Sequence, residues 1–189
     1  MVTLSNSRDP QVARWLEQAR DERIQAAIAS IYHEVSVAIE RERPHCLASG
    51  HCCHFDAFGH DLFVTAIETA WFITSQEDDL EEDSSRHSLP LLTTTEDHER
   101  TPPAASDRAP VRVCPWLDGR LCGARAVRPL GCRTYFCDPR AAAWSEPLHE
   151  SMHGRLRQLH ERFDIAYRYD EWLRMLSFFG ADPRHGTRA

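Results

Sequence analysis

From Asp9 onward, apolar residues recur at near-helical spacing: Val12, Trp15, Leu16, Ala19, Ile24, Ala27, Ile28, Ile31, Val35, Ala38 and Ile39 share one stripe before Pro44 ends it. Asp9 supplies an N-cap carboxylate and Pro10 the first helical position. The spacing predicts one long amphipathic helix, or two with a break near Asp21, its Trp and Ile stripe serving as core. A second apolar run through Leu62, Phe63, Ile67 and Trp71 predicts a helix from Asp61 to about Thr74. Asp61 would cap it, and its apolar circumference calls for burial.

The pattern then changes. Residues 76–110 are polar, acidic and proline-bearing, too poor in apolar side chains to offset ordering entropy, and are read as a disordered insertion. The chain condenses again at Val111. Asp118-Gly119 between two short apolar runs predicts a tight type I′ hairpin that brings Cys114 towards Cys122. Cys132 and Cys137 would follow in a turn opened by Arg128-Pro129. Beyond them the sequence predicts a short helical piece near Ala141–Trp144 and a helix starting at Ser145-Glu146-Pro147. A last helix, capped by Asp170, would run from Glu171 to Phe179 and stop at Gly180. The expected fold is mainly α with a small β-hairpin, a single domain organised around a cysteine-ligated metal centre. Its parts are residues 1–75, the acidic insertion 76–110, and residues 111–189.

Charge refines this picture. The net charge is -7, and residues 76–110, with ten acidic residues against three arginines, account for all of it. The balanced remainder offers no basic face for nucleic acid. All 22 basic residues are arginine, which excludes a catalytic lysine, a Schiff base and a P-loop. No run approaches a membrane span, and Met1–Pro10 carry no apolar leader, so a soluble cytoplasmic protein is expected.

Candidate chemistry lies in seven cysteines arranged in two blocks, Cys46, Cys52 and Cys53, then Cys114, Cys122, Cys132 and Cys137. Closely spaced thiolates in turn-rich segments can converge on a soft or borderline metal ion. A disulfide framework is the competing use, but it belongs to secreted chains, and an odd count leaves one thiol over. The first block alone offers three thiolates, so the two blocks are expected to share a site. Adjacent cysteines such as Cys52 and Cys53 diverge in the usual zinc knuckle, which favours an iron–sulfur cluster over zinc, with mononuclear iron third. His51 and His54 are candidate additional ligands. Arg128 and Arg133 would lie beside the centre, either offsetting thiolate charge or bonding loop carbonyls. Trp116, Tyr135 and Phe136 are expected to cover it.

The string Cys46-x2-Ser49-Gly50-x-Cys52-Cys53, followed by Cys114-Pro-Trp-Leu-x4-Cys122 and Arg128-Pro-x2-Cys132-Arg133-x-Tyr135-x-Cys137, resembles the CxxCxxCC cysteine-cluster family. Its members are described as YkgJ-like zinc- or iron-chelating domains, related to the flagellin lysine-N-methylases. The resemblance spans roughly residues 44–140, and Tyr167–Trp172 is similar to the tail of the family's smaller members. Ser49 stands where the family motif has its second cysteine, so that position is not a ligand or an imidazole replaces it. The resemblance implies a metal-binding protein in a structural, redox or metal-handling role, or a metal-dependent modifying enzyme. The metal is the one partner it implies; nucleic acid and membrane are not expected.

His149-Glu150-Ser-Met-His153 spells H-E-x-x-H on a predicted helix, the arrangement of a zinc peptidase. The longer metzincin form fails, since Leu156 and Leu159 occupy its glycine and third histidine positions. These imidazoles are therefore assigned to a solvated helix face. His60 and Asp61 could border a pocket near the first cysteine block.

Overall fold

The computed structural model describes residues 9–46, 49–86 and 112–181, with 77–86 as backbone alone. The first apolar stripe is two helices, α1 (Pro10–Ala19) and α2 (Glu22–Glu42). Asp9 and Asp21 cap them, each carboxylate accepting from the N–H two residues on, at 2.8 and 2.9 Å. The short α3 (Phe55–Phe58) follows the first cysteine block.

Asp61 does not start a helix. Phe63–Thr65 is a strand, β1, and α4 runs from Ala66 to Arg86. Its start signal is a capping box: the Thr65 N–H donates to Glu68 Oε2 at 2.9 Å, and Thr65 Oγ1 accepts from the Glu68 N–H at 3.4 Å. Asp61 is instead ion-paired with Arg112 at 2.6 Å. The helix also continues through residues 76–86, so the acidic segment does not leave the fold at Gln76; residues 87–111 lie outside the described residues.

The hairpin is β2 (Leu117–Asp118) and β3 (Leu121–Cys122), with Leu117 opposite Cys122. Its loop is Gly119-Arg120, one residue later than expected. Only Gly119 has positive φ, at 57°, the pattern of a II′ rather than a I′ turn. Cys132 sits on a short helix, α5 (Leu130–Thr134), not in an open turn. After a 3₁₀ turn at Pro139–Ala141, one helix, α6 (Ala142–Arg162), contains both pieces predicted around Pro147. Pro147 lies inside it instead of opening a new helix.

The strand β4 (Tyr169–Glu171) pairs antiparallel with β1, Phe63 opposite Glu171, forming a second two-stranded sheet beside the expected hairpin. The last helix, α7 (Trp172–Phe179), is capped by Glu171 rather than Asp170. The Glu171 carboxylate accepts from the N–H groups of Leu173 and Arg174, while Asp170 pairs with Arg168. Gly180 ends the helix at φ 68°, as expected. The protein is mainly α.

One core joins these elements. It takes Trp15 from α1, Ile28 and Val35 from α2, Ile67 and Phe72 from α4, Leu156 from α6 and Trp172 and Phe179 from α7. Trp15 stacks on Phe179 at 5.7 Å and donates its indole N–H to the Ala166 carbonyl at 2.9 Å. Among the described residues no helix is long and apolar enough to cross a membrane.

Candidate functional site

The two cysteine blocks meet through their backbones. His51–Cys53 forms a 3₁₀ turn entered through Gly50 at φ 74°, where a Cβ would stand 3.1 Å from Leu117 Cδ1. His54 and Val113 then make an antiparallel bridge, flanked by Cys114 N–H donating to the Cys53 carbonyl at 2.7 Å and Phe55 N–H donating to Arg112 at 3.0 Å. The hairpin returns Cys122 to the same place. Cys132 arrives on α5, whose first N–H, that of Leu130, donates to the buried Glu68 carboxylate at 2.8 Å.

Five thiols, those of Cys52, Cys53, Cys114, Cys122 and Cys132, border one small cavity of about 20 Å³ closed by Phe55, Phe72, Trp116 and Trp172. An adjoining cavity of about 100 Å³ is bordered by Cys46 and Cys137, and again by Cys52, Cys53 and Cys122. Arg120, Arg125, Arg128 and Arg133 line it, with Tyr135 and Phe136. All seven cysteines are free.

Cys53 is the centre of the sulfur group. Its thiol interacts with those of Cys114, Cys122 and Cys52, and because it keeps the proton they share, its own pKa is driven up. Hydrogen bonding to Cys53 correspondingly draws Cys52 and Cys122 down to about 6, and Cys114 below its ordinary value. Backbone N–H groups add to this: that of Trp116 faces the Cys114 sulfur and that of Ala124 the Cys122 sulfur. Arg128 lowers Cys52 and Cys122 further by its charge. Cys132 is partly exposed as a residue, but its thiol is enclosed, and burial pushes it up.

Trp172 completes the wall. Its indole N–H is buried and makes no hydrogen bond, yet it lies near enough to Cys114 to lower that thiol's pKa. A thiolate is the acceptor that would satisfy it.

The donor set suits a thiophilic metal. Two sulfurs held tetrahedrally at ~2.3 Å from one ion stand about 3.8 Å apart, close to the 4.0 Å between Cys52 and Cys53. Those neighbouring side chains therefore do not diverge, because the 3₁₀ turn curls both towards the cavity. As the sulfurs stand, no group of three or more His, Cys, Asp or Glu among the described residues is arranged to hold a metal ion.

The candidate histidines lie outside this thiol group. His51 stacks on Phe58 at 3.8 Å, and His54 serves through its backbone bridge. His45, with Ser49, borders the adjoining cavity. His60 stacks on Tyr135 at 4.5 Å, and its Nε2 lies 3.4 Å from the Cys52 carbonyl. Arg133 donates to the carbonyls of Arg128 and Ala126, both at 2.6 Å, and lies over the Tyr32 ring at 4.2 Å. Arg128 combines two roles, donating to the Arg125 and Cys132 carbonyls at 3.2 and 3.4 Å while its charge acts on the sulfurs.

His149 and His153 are not on a solvated face. Both are half-buried: His149 Nδ1 lies 2.9 Å from Thr134 Oγ1, and His153 Nε2 lies 2.9 Å from the Tyr167 hydroxyl. Helix α5 and the strand β4 region pack onto that side of α6, which helical periodicity alone does not reveal.

Two residues that position the site escaped sequence reasoning. Glu68 holds α5 in place, and its capping-box spacing from Thr65 was the available signal. Trp172 had none, since it reaches the cavity by long-range packing. No family model, no curated protein and no solved structure matches this chain.

Proposed function

We propose that the thiol-lined cavity holds a metal centre, an iron–sulfur cluster, zinc or mononuclear iron, in a structural, redox or metal-handling role; the Cys52–Cys53 geometry removes the ground for ranking a cluster above zinc. One observation carries this reading: five thiols from both sequence blocks border a single small cavity, and the N–H groups of Trp116, Ala124 and Trp172 together with the Arg128 charge lower the pKa values of the thiols beside them. Preorganised N–H groups favour thiolate over thiol, the form in which cysteine binds metal. Cys52, Cys53, Cys114 and Cys122, with Cys132, would hold the centre, and Cys46 and Cys137 would stand at its outer side. The metal would supply charge neutralisation and, in a cluster, electron transfer; the chain orients the thiolates and excludes water. Membership of the CxxCxxCC family is part of the same proposal.

A second reading, a metal-dependent modifying enzyme, is favoured by the larger cavities nearby. Tyr135 and Phe136 line both the arginine-rich cavity and a roomier one of about 350 Å³. Anaerobic purification followed by metal and sulfide analysis and an absorption spectrum tests the first reading. A brown protein with acid-labile sulfide supports a cluster, a colourless one with tightly held zinc selects the second metal, and a protein that takes up neither on reconstitution contradicts the proposal.

A further inference from the structure

A cavity of about 350 Å³ lies between α6 and the segment after α5, on the far side of Tyr135 and Phe136 from the thiols. No cysteine and no arginine lines it. Its charged groups are the carboxylates of Asp61, Asp138 and Glu146. Asp61 is paired with Arg112 at 2.6 Å and Asp138 with Arg140 at 2.9 Å. Glu146 has no ion-pair partner among the described residues.

Two further groups on α6 are unused. Ser145 is only 6% exposed, yet its hydroxyl, on the cavity wall, makes no hydrogen bond among the described residues. The residue is buried but its oxygen is open to the cavity, so it is available to a ligand or to water. His149 presents an acceptor. The Thr134 hydroxyl lies 3.0 Å from the Leu130 carbonyl, which can only accept, so its one proton goes there. It then meets His149 as an acceptor at 2.9 Å, which places the imidazole proton on Nδ1 and leaves the Nε2 lone pair free. Burial holds the His149 pKa below its ordinary value, so near neutral pH the ring is uncharged and cannot serve an anion.

We infer that this cavity binds a small organic ammonium compound, its N–H groups received by the Glu146 carboxylate, the Ser145 hydroxyl and His149 Nε2. Ser145 and His149 stand at i and i+4 on one face of α6, Glu146 borders the same cavity from the adjoining position, and a primary ammonium has three donors to give. Phe63, Tyr135 and Phe136 offer the ring surface that an organic body needs beside its cation. An anion finds no uncompensated positive group in the lining. The inference stands on the cavity alone and is independent of what the thiols bind.

The test is calorimetric titration of the full chain near neutral pH with phenethylammonium, and in parallel with phenethyl alcohol and hydrocinnamate, which share its body. The ammonium should bind, the alcohol at least about tenfold more weakly, and the carboxylate not at all. Glu146→Gln should lose about tenfold in affinity for the ammonium, with an unchanged melting temperature because Glu146 is exposed. His149→Asn, which keeps a donor for Thr134, should also weaken binding. Equal binding of alcohol and ammonium, no heat with millimolar ammonium, or wild-type affinity in both variants would overturn the inference. Metal content measured on the same samples reports separately on the thiol site.

Discussion

Two buried polar centres flank α5, and they are satisfied in opposite ways. Glu68, 2% exposed, receives four donors on its two carboxylate oxygens: the Tyr32 hydroxyl at 2.9 Å, the Leu130 N–H at 2.8 Å, and the Thr65 N–H and hydroxyl at 2.9 and 2.8 Å. Cys53, 6% exposed, is surrounded by three other cysteines whose sulfurs, weak acceptors, compete for its proton. The first centre is complete within the chain and ties α2, β1, α4 and α5 together. The second is held by weak thiol contacts, and under the proposed function a metal ion would take the place of the shared proton. Glu68 is the structural device, and Cys53 is the centre of the proposed metal site.

The largest test of this contrast is Glu68→Ala. It leaves four buried donors without acceptors and should cost more than about 3 kcal/mol in urea unfolding. The loss should be the same with and without metal. Equal stability of variant and wild type would mean that Glu68 does not hold α5.

Cys53→Ala should behave differently. In metal-free protein it removes one small buried side chain and should cost about 1 kcal/mol. In loaded protein it should also abolish the stabilisation by bound metal, about 2.7 kcal/mol when free metal is a hundredfold above its Kd. A variant that keeps one equivalent of metal per chain would remove Cys53 from the centre.

Trp172→Phe sharpens the comparison on the cysteine side. Phenylalanine retains most of the packing against Phe72 and Trp116, so unfolding should change by about 1 kcal/mol or less. The lost N–H towards Cys114 should weaken metal binding about tenfold. Unchanged affinity would reduce Trp172 to a core residue.

The smallest effect is a pH dependence away from both centres. His160 is buried, its Nδ1 lies 3.2 Å from the Ile165 carbonyl, and its Nε2 has no partner. Burial lowers its folded pKa below the unfolded value of about 6.5, so the unfolded chain binds the proton more readily. The stability this neutral ring contributes is therefore full above about pH 6.5 and declines as pH falls towards the folded pKa. His160→Asn, which keeps the donor to Ile165, should flatten that slope. An identical slope in the variant would assign the acid sensitivity elsewhere.

The cysteine side was largely legible in the sequence, because thiol spacing survives whatever the chain does between the blocks. The caps Asp9 and Asp21 were legible for a similar reason: each acts on its own first turn. What failed depended on distant partners. The three-residue strands β1 and β4 are too short to show a period, and each exists only against the other. Asp61 looked like a cap until Arg112 claimed it, and Pro147 looked like a helix start although α6 had begun at Ala142. His149 and His153 were given to solvent because neither Thr134 nor Tyr167 lies near them in sequence.

X-ray absorption at the edge of the metal bound by the wild-type chain tests the central claim most directly, since it reports which elements surround the ion. The account predicts a shell made of sulfur at ~2.3 Å, with an iron–iron distance in addition if the centre is a cluster. A shell of nitrogen and oxygen without sulfur would contradict it.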